Sequence, residues 1–441
     1  MPYSQDSMMN NGDSLLIRSL PDEWSFQRLK YIFDERKEIN NPVKTDVLVS
    51  LTHDRGVILH SEKGSIGNKE KNDLTKYKLV YPGDLVVNSM NVIIGSSGLS
   101  KFYGLVSPVY YMLKPKDPKM DAKYFHYLFR SILFQKSLIG VGNGILEHRM
   151  RVPMDKLGSH RLPLPPSKEQ ELISRYLDKK TEQIDSLIEK IQKKIELLKE
   201  QRTSLINQCV TKGLDPDVEM KDSGVEWIGE IPKHWSLSRL DFLVSLFGRV
   251  GWKSLKSDEY VDDGYVFLST PNIKNKDIDF ENVNYITKER YEESPEIMLE
   301  EGNVLLVKDG STLGITNIVR SLPRPSTVNS SIGVLKIKSK DISPDFLYWY
   351  LSGHYIQNII QRIKGGMGVP HLFQSDIKKF FVLLPSRDEQ EIISKFVNKE
   401  TSKLDLITEK HHERIRLLKE YRQSFISSAV TGKVRVTEDM I

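Results

Sequence analysis

The chain contains a long internal repeat. When residues 165–211 are aligned with residues 385–431 at a constant offset of 220 and without a gap, 21 of the 47 positions are identical. Both copies contain the words Glu-Gln-Glu and Leu-Leu-Lys-Glu, and both end in Val-Thr. A repeat of this length constrains the fold more than any local motif, because each element inferred in one copy is expected again in the other.

A weaker similarity precedes each copy, since residues 20–29 resemble residues 231–240 in their Pro, Trp-Ser and Arg-Leu words. The regions that follow, about 30–164 and 241–384, differ in sequence and share an outline only: a turn before an apolar run, then an aromatic, helix-like word. The order is therefore variable–constant–variable–constant. It predicts a first domain at 1–164, a spacer helix at 165–214, a linker and second domain at 215–384, and a second spacer helix with a C-terminal tail at 385–441.

Apolar residues recur every seven positions in each constant segment. A narrow seven-residue stripe among Lys, Glu and Gln is typical of a long helix with a coiled-coil seam. Pro165 and Pro166 precede the first helix, and Gly213 with Pro216 is expected to end it. The seam positions are Leu177, Ile184, Ile191, Leu198 and Leu205 in the first copy, and Val397, Leu404, His411, Leu418 and Phe425 in the second.

Two such helices are expected to pair antiparallel, because a helix with an exposed apolar stripe gains most of its stability by packing that stripe. The pair would relate two equivalent domains by an approximate two-fold axis. The alternative, in which each helix packs on its own domain as ordinary core, remains open at this point. His411 on the seam is interpreted as a tolerated or register-setting polar residue, and Cys209 as a small buried or half-buried one.

The variable regions have the pattern of mixed domains rich in short strands. Apolar and β-branched runs alternate with Gly, Asn and Ser turns, as at 46–51 and 110–113 in the first region and 265–268, 303–307 and 333–337 in the second. The predicted fold class is α+β, with two mixed α/β domains separated by two long helices that form an antiparallel coiled coil.

The loops of both variable regions combine amide and hydroxyl side chains with Lys and Arg. The former can recognise base edges and the latter bind phosphates, while glycines allow close approach of the backbone. Because such loops recur at matching places in both halves, we predict DNA contacts there. Phosphate contacts are predicted for Lys63, Lys69, Lys101, Lys253, Lys274 and Lys364. Base contacts are predicted for Asn68, Asn88, Asn91, Ser96, Ser97, Asn143, His148, Arg149, Arg249, Asn272, Ser311, Thr312, Asn329, Ser330 and His371, with Lys308 as a further contact to DNA.

Composition and missing motifs narrow the class of protein. A charged fraction of 28% and a hydrophobic fraction of 39% fit a folded protein, and the net charge of +5 is too small to indicate DNA binding by itself. The single cysteine excludes internal disulfides and a Cys-rich zinc site. We find no signal-peptide pattern and no apolar stretch of about 18 residues, so we expect a cytoplasmic protein. No phosphate-binding loop of an ATPase, amino-methyltransferase motif, metal-ligand cluster or other catalytic constellation is present.

A set of motifs in the constant segments and the linker is specific when taken together. They are Leu-Pro-Pro-Ser-Lys-Glu-Gln at 164–170, Ile-Asp at 184–185, Leu-Leu-Lys-Glu-Gln-Arg at 197–202, Val-Thr-Lys-Gly-Leu at 210–214 and the linker at 221–232. The distal copy repeats the theme from 384–385 through 430–433. With these motifs, the sequence resembles the specificity subunit of type I restriction–modification enzymes over nearly its whole length. One departure is that the linker motif at 224–232 has only a shortened relative at 18–21, after a polar start at 1–13.

The resemblance implies two target-recognition domains that each recognise one half of a split DNA sequence, joined by helices that set the gap. It also implies no catalytic activity in this chain, docking of two methyltransferase subunits, and addition of motor-nuclease subunits for restriction. S-adenosylmethionine, ATP and Mg²⁺ would belong to those partners. Two other interpretations are weighed against it: a stand-alone DNA enzyme, which predicts activity from the purified chain, and a coiled-coil protein-interaction adaptor, which predicts no sequence-selective DNA retention.

Overall fold

The computed structural model describes residues 20–52, 55–63, 73–142, 151–226, 228–249, 255, 257–274, 276–364 and 370–441. The chain divides into two compact units. The first unit combines residues 1–191 with residues 412–441, and the second unit consists of residues 192–411. Each unit thus contains one variable region and one part of each constant segment.

The secondary structure is mixed throughout the described residues. The helices are α1 (Leu29–Ile32), α2 (Ala122–Arg130), α3 (Ile132–Ser137), α4 (Met154–Ser159), α5 (Ser167–Lys212), α6 (Leu240–Leu243), α7 (Lys288–Glu292), α8 (Pro344–Ser352), α9 (His354–Ile363), α10 (Gln374–Ile377) and α11 (Arg387–Val430). The strands of the first unit are β1 (Ser25–Arg28), β2 (Phe33–Arg36), β3 (Val49–Thr52), β4 (Gly56–Leu59), β5 (Lys78–Val80), β6 (Leu85–Asn88), β7 (Ser97–Leu99), β8 (Gly104–Val106), β9 (Tyr110–Pro115) and β10 (Arg161–Leu164). Those of the second unit are β11 (Met220–Asp222), β12 (Glu230–Pro232), β13 (Ser236–Arg239), β14 (Val244–Phe247), β15 (Tyr265–Leu268), β16 (Asn284–Ile286), β17 (Val304–Val307), β18 (Thr316–Ile318), β19 (Ser326–Val328), β20 (Ile332–Ile337) and β21 (Phe381–Leu384).

Both units contain the same four-stranded antiparallel sheet. Its order is β2-β9-β6-β7 in the first unit and β14-β20-β17-β18 in the second. A short antiparallel pair, β1-β10 or β13-β21, accompanies it, while smaller sheets (β3-β4, β5-β8, and β16-β15-β19) complete each variable region. The repeat therefore extends through the variable regions, which confirms the predicted fold class of two mixed domains from a duplicated plan.

A matched turn leads into the central strand of each sheet. The amide of Asp84 donates to the carbonyl of Tyr81 at 3.1 Å, and Asn303 donates to Glu300 at 3.1 Å. The side chain of Asp84 accepts a hydrogen bond from the backbone amide of Tyr81 at 3.0 Å. In the second unit, the side chain of Asn303 accepts from the backbone amide of Glu300, also at 3.0 Å. These bonds explain why two dissimilar words, Tyr-Pro-Gly-Asp and Glu-Glu-Gly-Asn, have the same structure.

The aromatic words form helices α2 and α8, as predicted. Each helix is tied to a long helix by a buried glutamine of the repeat. The amide oxygen of Gln170 accepts from the backbone of Asp121, the N-cap of α2, at 3.0 Å. Gln390 accepts from the backbone of Ser343, the N-cap of α8, at 2.8 Å. The duplicated Glu-Gln-Glu word thus fixes the start of the domain helix in both units.

Each long helix is continuous, and α5 ends where the sequence predicts. Gly213 follows its last turn with a φ of +77°, and its amide donates to the carbonyl of Cys209 at 3.2 Å. Such a left-handed C-terminal residue is the usual end of a helix and favours glycine. None of the described helices is long and apolar enough to cross a membrane.

The long helices run antiparallel to each other within both units. In the first unit, the rings of Tyr176 and Phe425 lie 5.1 Å apart and Asp185 lies 2.9 Å from Arg422. In the second unit, Arg202 lies 2.9 Å from Asp405. Residue numbers fall along α11 as they rise along α5, which defines an antiparallel pair. The alternative, in which each helix packs only on its own domain, is therefore wrong.

The seam is more deeply buried on α5 than on α11. Leu177, Ile184, Ile191 and Leu198 are buried, whereas Leu404, His411, Leu418 and Phe425 are half-buried. Cys209 is 3% exposed, and burial raises the pKa of its thiol to about 11, so it is a small core residue as predicted.

Candidate nucleic-acid interface

One edge of each four-stranded sheet collects most of the described loops that the sequence singled out. In the second unit, the pairings Phe247↔Val334 and Val307↔Ile332 place the ends of β14 and β17 beside the start of β20. The pairing Leu306↔Thr316 adds the start of β18 to this edge. We name this set of strand ends the recognition edge of the unit. Because it is built from neighbouring antiparallel strands, residues far apart in sequence meet there.

Backbone hydrogen bonds hold the loops of the second recognition edge together. Lys308, directly after β17, donates to the carbonyl of Ser331 at 2.7 Å, and Leu372 donates to Lys308 at 2.9 Å. Gly310 donates to Pro370 at 3.1 Å. Loops from three separate parts of the chain are therefore fixed against one another, which a composite binding surface requires.

The first unit repeats this arrangement with different side chains. Val152 donates to the carbonyl of Ser89 at 2.9 Å, which matches the bond from Leu372 to Lys308. Asn88 donates to the carbonyl of Ser96 at 3.0 Å, and Ser96 donates to Asn91 at 3.1 Å. The scaffold of the two edges is thus shared, and the side chains displayed on it differ.

Eleven of the predicted contact residues are at least partly exposed. Lys101, Lys274, Ser311 and Lys364 are exposed, and Lys63, Asn88, Asn91, Thr312, Asn329, Ser330 and His371 are half-buried. The structure brings the members from 88–91, 311–312, 329–330 and 371 to the recognition edges. Lys274 and Lys364 instead donate to Asp279 and Gln361 in their own loop and helix, at 2.8 and 2.7 Å.

His371 is a half-buried group on the second edge with two contacts that hold its ring. Its Nδ1 contacts the carboxylate of Asp309, and its ring packs edge-on against Phe373 at 4.5 Å between centroids. The contact with a carboxylate fixes the orientation of the imidazole and leaves Nε2 as its other polar atom. A group held in this way is suited to a directed hydrogen bond to a base.

Five predicted contact residues are buried, and we leave them out of the proposed contact set. Asn272 uses its side chain within its own loop, accepting from Ser269 and donating to the carbonyls of Asp279 and Asn282. Polar residues in such turns satisfy local backbone groups, which is a structural role. The other four are Ser96, Ser97, Arg249 and Lys308, each 5% exposed or less.

Arg249 supports the second edge from inside. Its Nε donates to the carbonyl of Val328 at 3.4 Å, and its guanidinium lies 5.7 Å from the ring centroid of Phe267. Burial, together with the nearby Arg290, lowers its pKa. Burial also lowers the pKa of Lys308. The remaining predicted residues, Asn68, Lys69, Asn143, His148, Arg149 and Lys253, lie outside the described residues.

Sequence reasoning missed a basic cleft in the first unit. Arg55 and Arg130 line it together with Arg422 of α11. Lys101, a predicted phosphate contact, also lines it, and Arg422 is identical to Arg202 in the repeat. Within the part of the chain that the structure describes, no group of His, Cys, Asp and Glu could hold a metal ion.

Comparison with known protein families identifies the family of this chain. The family described as "Type I restriction modification DNA specificity domain" matches residues 21–197 and 232–416, one match in each half of the repeat. The chain belongs to this family. As a type I specificity subunit, it is the non-catalytic, DNA-recognising component of a restriction–modification system. The predicted family is thereby confirmed.

Similar proteins span nearly the same length as this specificity subunit. The MjaVIII specificity subunit of Methanocaldococcus jannaschii is 24% identical, over 82% of this chain and 83% of that protein. The EcoBI specificity subunit of Escherichia coli is 23% identical, over 84% of this chain and 78% of that protein.

Two solved structures share the fold of this specificity subunit. A chain from a type I R-M system studied for its complex assembly and conformational transition has a TM-score of 0.72 at 14% identity, covering 94% of this chain and 100% of that one. The HsdS subunit of Thermoanaerobacter tengcongensis has a TM-score of 0.53 at 16% identity, covering 94% and 98%.

Proposed function

We propose that this specificity subunit recognises an asymmetric DNA target in two parts, one part at each recognition edge. The observation that supports the proposal is that the two recognition edges share the same backbone scaffold and display different side chains. The same backbone bond fixes Ser89 and Val152 in one unit and Lys308 and Leu372 in the other. Identical edges would favour a palindrome, whereas different edges favour two different half-sites.

The gap between the half-sites is set by the long helices. Helix α5 contributes residues to both units and contains neither glycine nor proline between Ser167 and Lys212. An α-helix without such residues is a stiff spacer of about 1.5 Å per residue. We therefore expect the gap to follow the length of the helices and to be independent of the recognition edges.

Two methyltransferase subunits dock on this chain, and motor-nuclease subunits join them for restriction. The repeat supports two equivalent docking positions, because the shared Leu-Leu-Lys-Glu word leaves one large apolar side chain on the surface in each unit. These are Leu197, 56% exposed, and Leu417, 50% exposed. Exposed apolar side chains at matching places are typical of protein-binding surfaces. S-adenosylmethionine, ATP and Mg²⁺ belong to these partners, and the assembly acts in the cytoplasm, where its DNA is.

Methylome sequencing tests this proposal. The chain is expressed with its methyltransferase subunit in cells that lack other methylation systems. We expect methylation at a single interrupted, asymmetric sequence that is absent without this chain. A second chain, in which residues 241–384 come from a relative with another target, should change one half of that sequence and keep the other half and the gap.

Three outcomes would contradict the proposal. A continuous or palindromic target would exclude two different half-sites. Changes in both halves after the exchange of one region would exclude independent recognition by the two units. The third outcome is that no methylation depends on the chain and that the chain shows no sequence-selective retention of DNA at moderate salt. That result would indicate an adaptor without DNA recognition.

A further inference from the structure

Each unit exposes an aromatic side chain at the same position of a short helix. Tyr31 on α1 is 54% exposed and Phe242 on α6 is 66% exposed. The helices consist of Leu-Lys-Tyr-Ile at 29–32 and Leu-Asp-Phe-Leu at 240–243, and only their first residues are identical. A single exposed apolar side chain needs no explanation, but an exposed ring repeated at one position of two diverged units indicates a shared role.

These rings lie away from the recognition edges. Helices α1 and α6 directly precede β2 and β14, whose other ends belong to the recognition edges. Each of these strands has four residues and spans about 13 Å. We name the surface around Tyr31 or Phe242 the far surface of its unit, because it lies at the opposite end of the sheet.

Two backbone hydrogen bonds fix the short helix of the first unit. The amide of Leu29 donates to the carbonyl of His160 at 2.9 Å, and the amide of Lys116 donates to the carbonyl of Ile32 at 3.0 Å. Leu29 and Ile32 are fully buried, so the helix is anchored at both of its ends. The ring of Tyr31 is therefore presented to solvent by a fixed backbone.

The second unit has the same two bonds. The amide of Leu240 donates to the carbonyl of Phe380 at 2.8 Å, and the amide of Lys338 donates to the carbonyl of Leu243 at 3.0 Å. Leu240 and Leu243 are also buried. The two far surfaces thus share one scaffold, as the two recognition edges do.

Exposed cations accompany the tyrosine of the first unit. The Nζ of Lys30 lies 5.2 Å from the ring centroid of this tyrosine. Arg28 and Arg161 are exposed and stand directly opposite each other in the β1-β10 pair. The carboxylate of Asp34, at the start of β2, lies 3.3 Å from the Nζ of Lys116 and is paired with it. The first far surface therefore joins an exposed ring to three exposed cations.

The phenylalanine of the second unit has equivalent neighbours. The guanidinium of Arg239 lies 5.7 Å from its ring centroid and is paired with Asp241 at 2.6 Å. The amide of Asp241 donates to the carbonyl of Lys378 at 3.2 Å, which places this residue beside α6. The side chains of Lys378 and Lys338 are both exposed. The second far surface therefore also combines an exposed ring with cations.

We propose that each far surface binds one copy of the methyltransferase subunit through an acidic patch on that subunit, a role that rests on the proposed function. A partner that binds in two equivalent copies needs the same surface twice, and the far surfaces share a scaffold, an aromatic ring and exposed cations. Tyr, Phe and Arg are enriched in protein interfaces, where a few buried anchors supply most of the affinity. Surface cations select a partner of opposite charge.

The position of the far surfaces suits a protein partner. DNA at a recognition edge is separated from the far surface by the length of β2 or β14, so both are bound at the same time. The contact is also distinct from the exposed leucines of the long helices. It holds each methyltransferase subunit against the domain that recognises one half-site.

Mass photometry of the co-purified complex tests the proposal. The complex is diluted, and the chains that carry two, one or no methyltransferase subunits are counted. The variants are Tyr31→Ala and Phe242→Ala, alone and together, with Tyr31→Phe and Phe242→Tyr as conservative variants. Val43→Ala is the matched control, since it truncates an apolar side chain that is 66% exposed in the segment that follows β2 at its other end.

We expect each single Ala variant to weaken one of the two positions by about tenfold or more. Complexes with one copy should then dominate at a dilution at which the unmodified complex keeps two, and the double Ala variant should lose both copies. The conservative variants and Val43→Ala should keep two. Melting temperatures close to that of the unmodified chain would show that the variants fold. A double Ala variant that keeps two copies would overturn the proposal.

The charge of the partner is tested separately. The variant Lys338→Glu/Lys378→Glu should weaken one position by about fivefold at low salt, because like charges then meet across the interface. The effect should shrink at high salt, where surface charges are screened. Unchanged or tighter binding at low salt would exclude an acidic patch on the partner.

Two further outcomes separate this proposal from others. If the unmodified chain does not bind the methyltransferase subunit, the proposed function itself fails, and this proposal fails with it. Nucleic acid is the other partner that suits a basic, aromatic surface, and fluorescence anisotropy with an unrelated duplex tests it. A double Ala variant that keeps two subunits and loses affinity for that duplex would assign the far surfaces to nucleic acid.

Discussion

The guanidinium of Arg202 lies 2.9 Å from the carboxylate of Asp405, and Arg422 lies at the same distance from Asp185. Each residue of the first pair has its repeat counterpart in the second, so the duplicated sequence produces two equivalent ion pairs between the long helices. Arg202 and Asp405 are 26% and 27% exposed at the side chain, which reduces their screening by solvent.

The first prediction concerns this ion pair. We expect Asp405→Asn to lower the free energy of unfolding of the second unit by about 1 kcal/mol, because a half-buried arginine loses its charged partner. Glu391→Gln is the matched control, since it breaks the exposed pair with Lys395 on the same helix. Urea unfolding measures both, and equal effects of the two variants would show that the cross-helix pair has no special contribution.

The second prediction concerns Gln390, which is fully buried. Its amide donates to the carbonyls of Asp341 and Pro385 at 2.7 and 3.0 Å and accepts from Ser343. Gln390→Ala leaves these buried groups unpaired, and we expect a loss of about 2 to 3 kcal/mol. Gln201→Ala, on an exposed position of α5, should cost less than about 0.5 kcal/mol. Thermal unfolding checks the difference, and similar melting temperatures would contradict the tie between the long helix and α8.

The third prediction concerns Gly432, which follows α11 with a φ of +71°. A Cβ there would stand 2.4 Å from the Cδ of Pro21 and 3.4 Å from the ring of Trp24. We expect Gly432→Ala to destabilise the first unit by about 3 kcal/mol, from backbone strain and steric overlap together. Gly83→Ala is the control for backbone strain without overlap, since no atom lies within 4 Å of its Cβ position. It should lower the free energy of unfolding by about 1 kcal/mol. Equal losses in denaturant unfolding would rule out the overlap.

The fourth prediction concerns pH. The pKa of His126 is about 4 in the folded chain, below its ordinary 6.5, because of burial and the nearby cations Arg130, Arg422 and Lys123, against Asp178, which raises it. The unfolded chain therefore binds more protons between these values. We expect the first unit to lose stability on the order of 2 kcal/mol as pH falls from about 6.5 to about 4, and to gain it back as pH rises.

His126→Gln should remove that part of the pH dependence, whereas His412→Gln, on an exposed position of α11, should keep it. Melting temperatures of the three proteins between pH 4 and pH 7 measure the effect. Parallel curves for the unmodified chain and His126→Gln would exclude His126 as the source.

The fifth prediction concerns base recognition on the second edge. We expect His371→Ala to relax one position of the half-site, worth about 1 to 3 kcal/mol of discrimination, without altering the other half-site. Ser402→Ala, on an exposed face of α11, should leave the pattern unchanged. Methylome sequencing of cells with each variant decides the matter, and a methylation pattern that is identical in both variants would remove His371 from the contact set.

The long helices and several strands could be predicted because their information is local. A seven-residue spacing predicts α5 and α11, and the run at 265–268 corresponds to β15 residue for residue. The order of the strands could not be predicted, since pairing depends on contacts between distant residues. The matched turns at Tyr81 and Glu300 were the only local hint that both sheets share one plan.

The site was less predictable than the fold. Loop composition does not distinguish a side chain that faces solvent, such as Ser311, from one that closes its own turn, such as Asn272. Arg55 and Arg130 were not predicted as cleft residues, because single arginines at a turn and at a helix end have no characteristic spacing. The predicted phosphate contact Lys101 and Arg422, the repeat counterpart of Arg202, were the residues of the basic cleft that the sequence singled out.

The division of the chain has a consequence for its synthesis. The second unit is one continuous stretch, whereas the core of the first unit takes Ile426, Ala429 and Val430 from α11. These residues leave the ribosome after the whole second unit has been made. Synthesis of the first unit therefore starts before that of the second unit and ends after it. A nascent chain stopped near residue 411 contains the whole second unit, together with a first unit whose core still lacks its residues from α11.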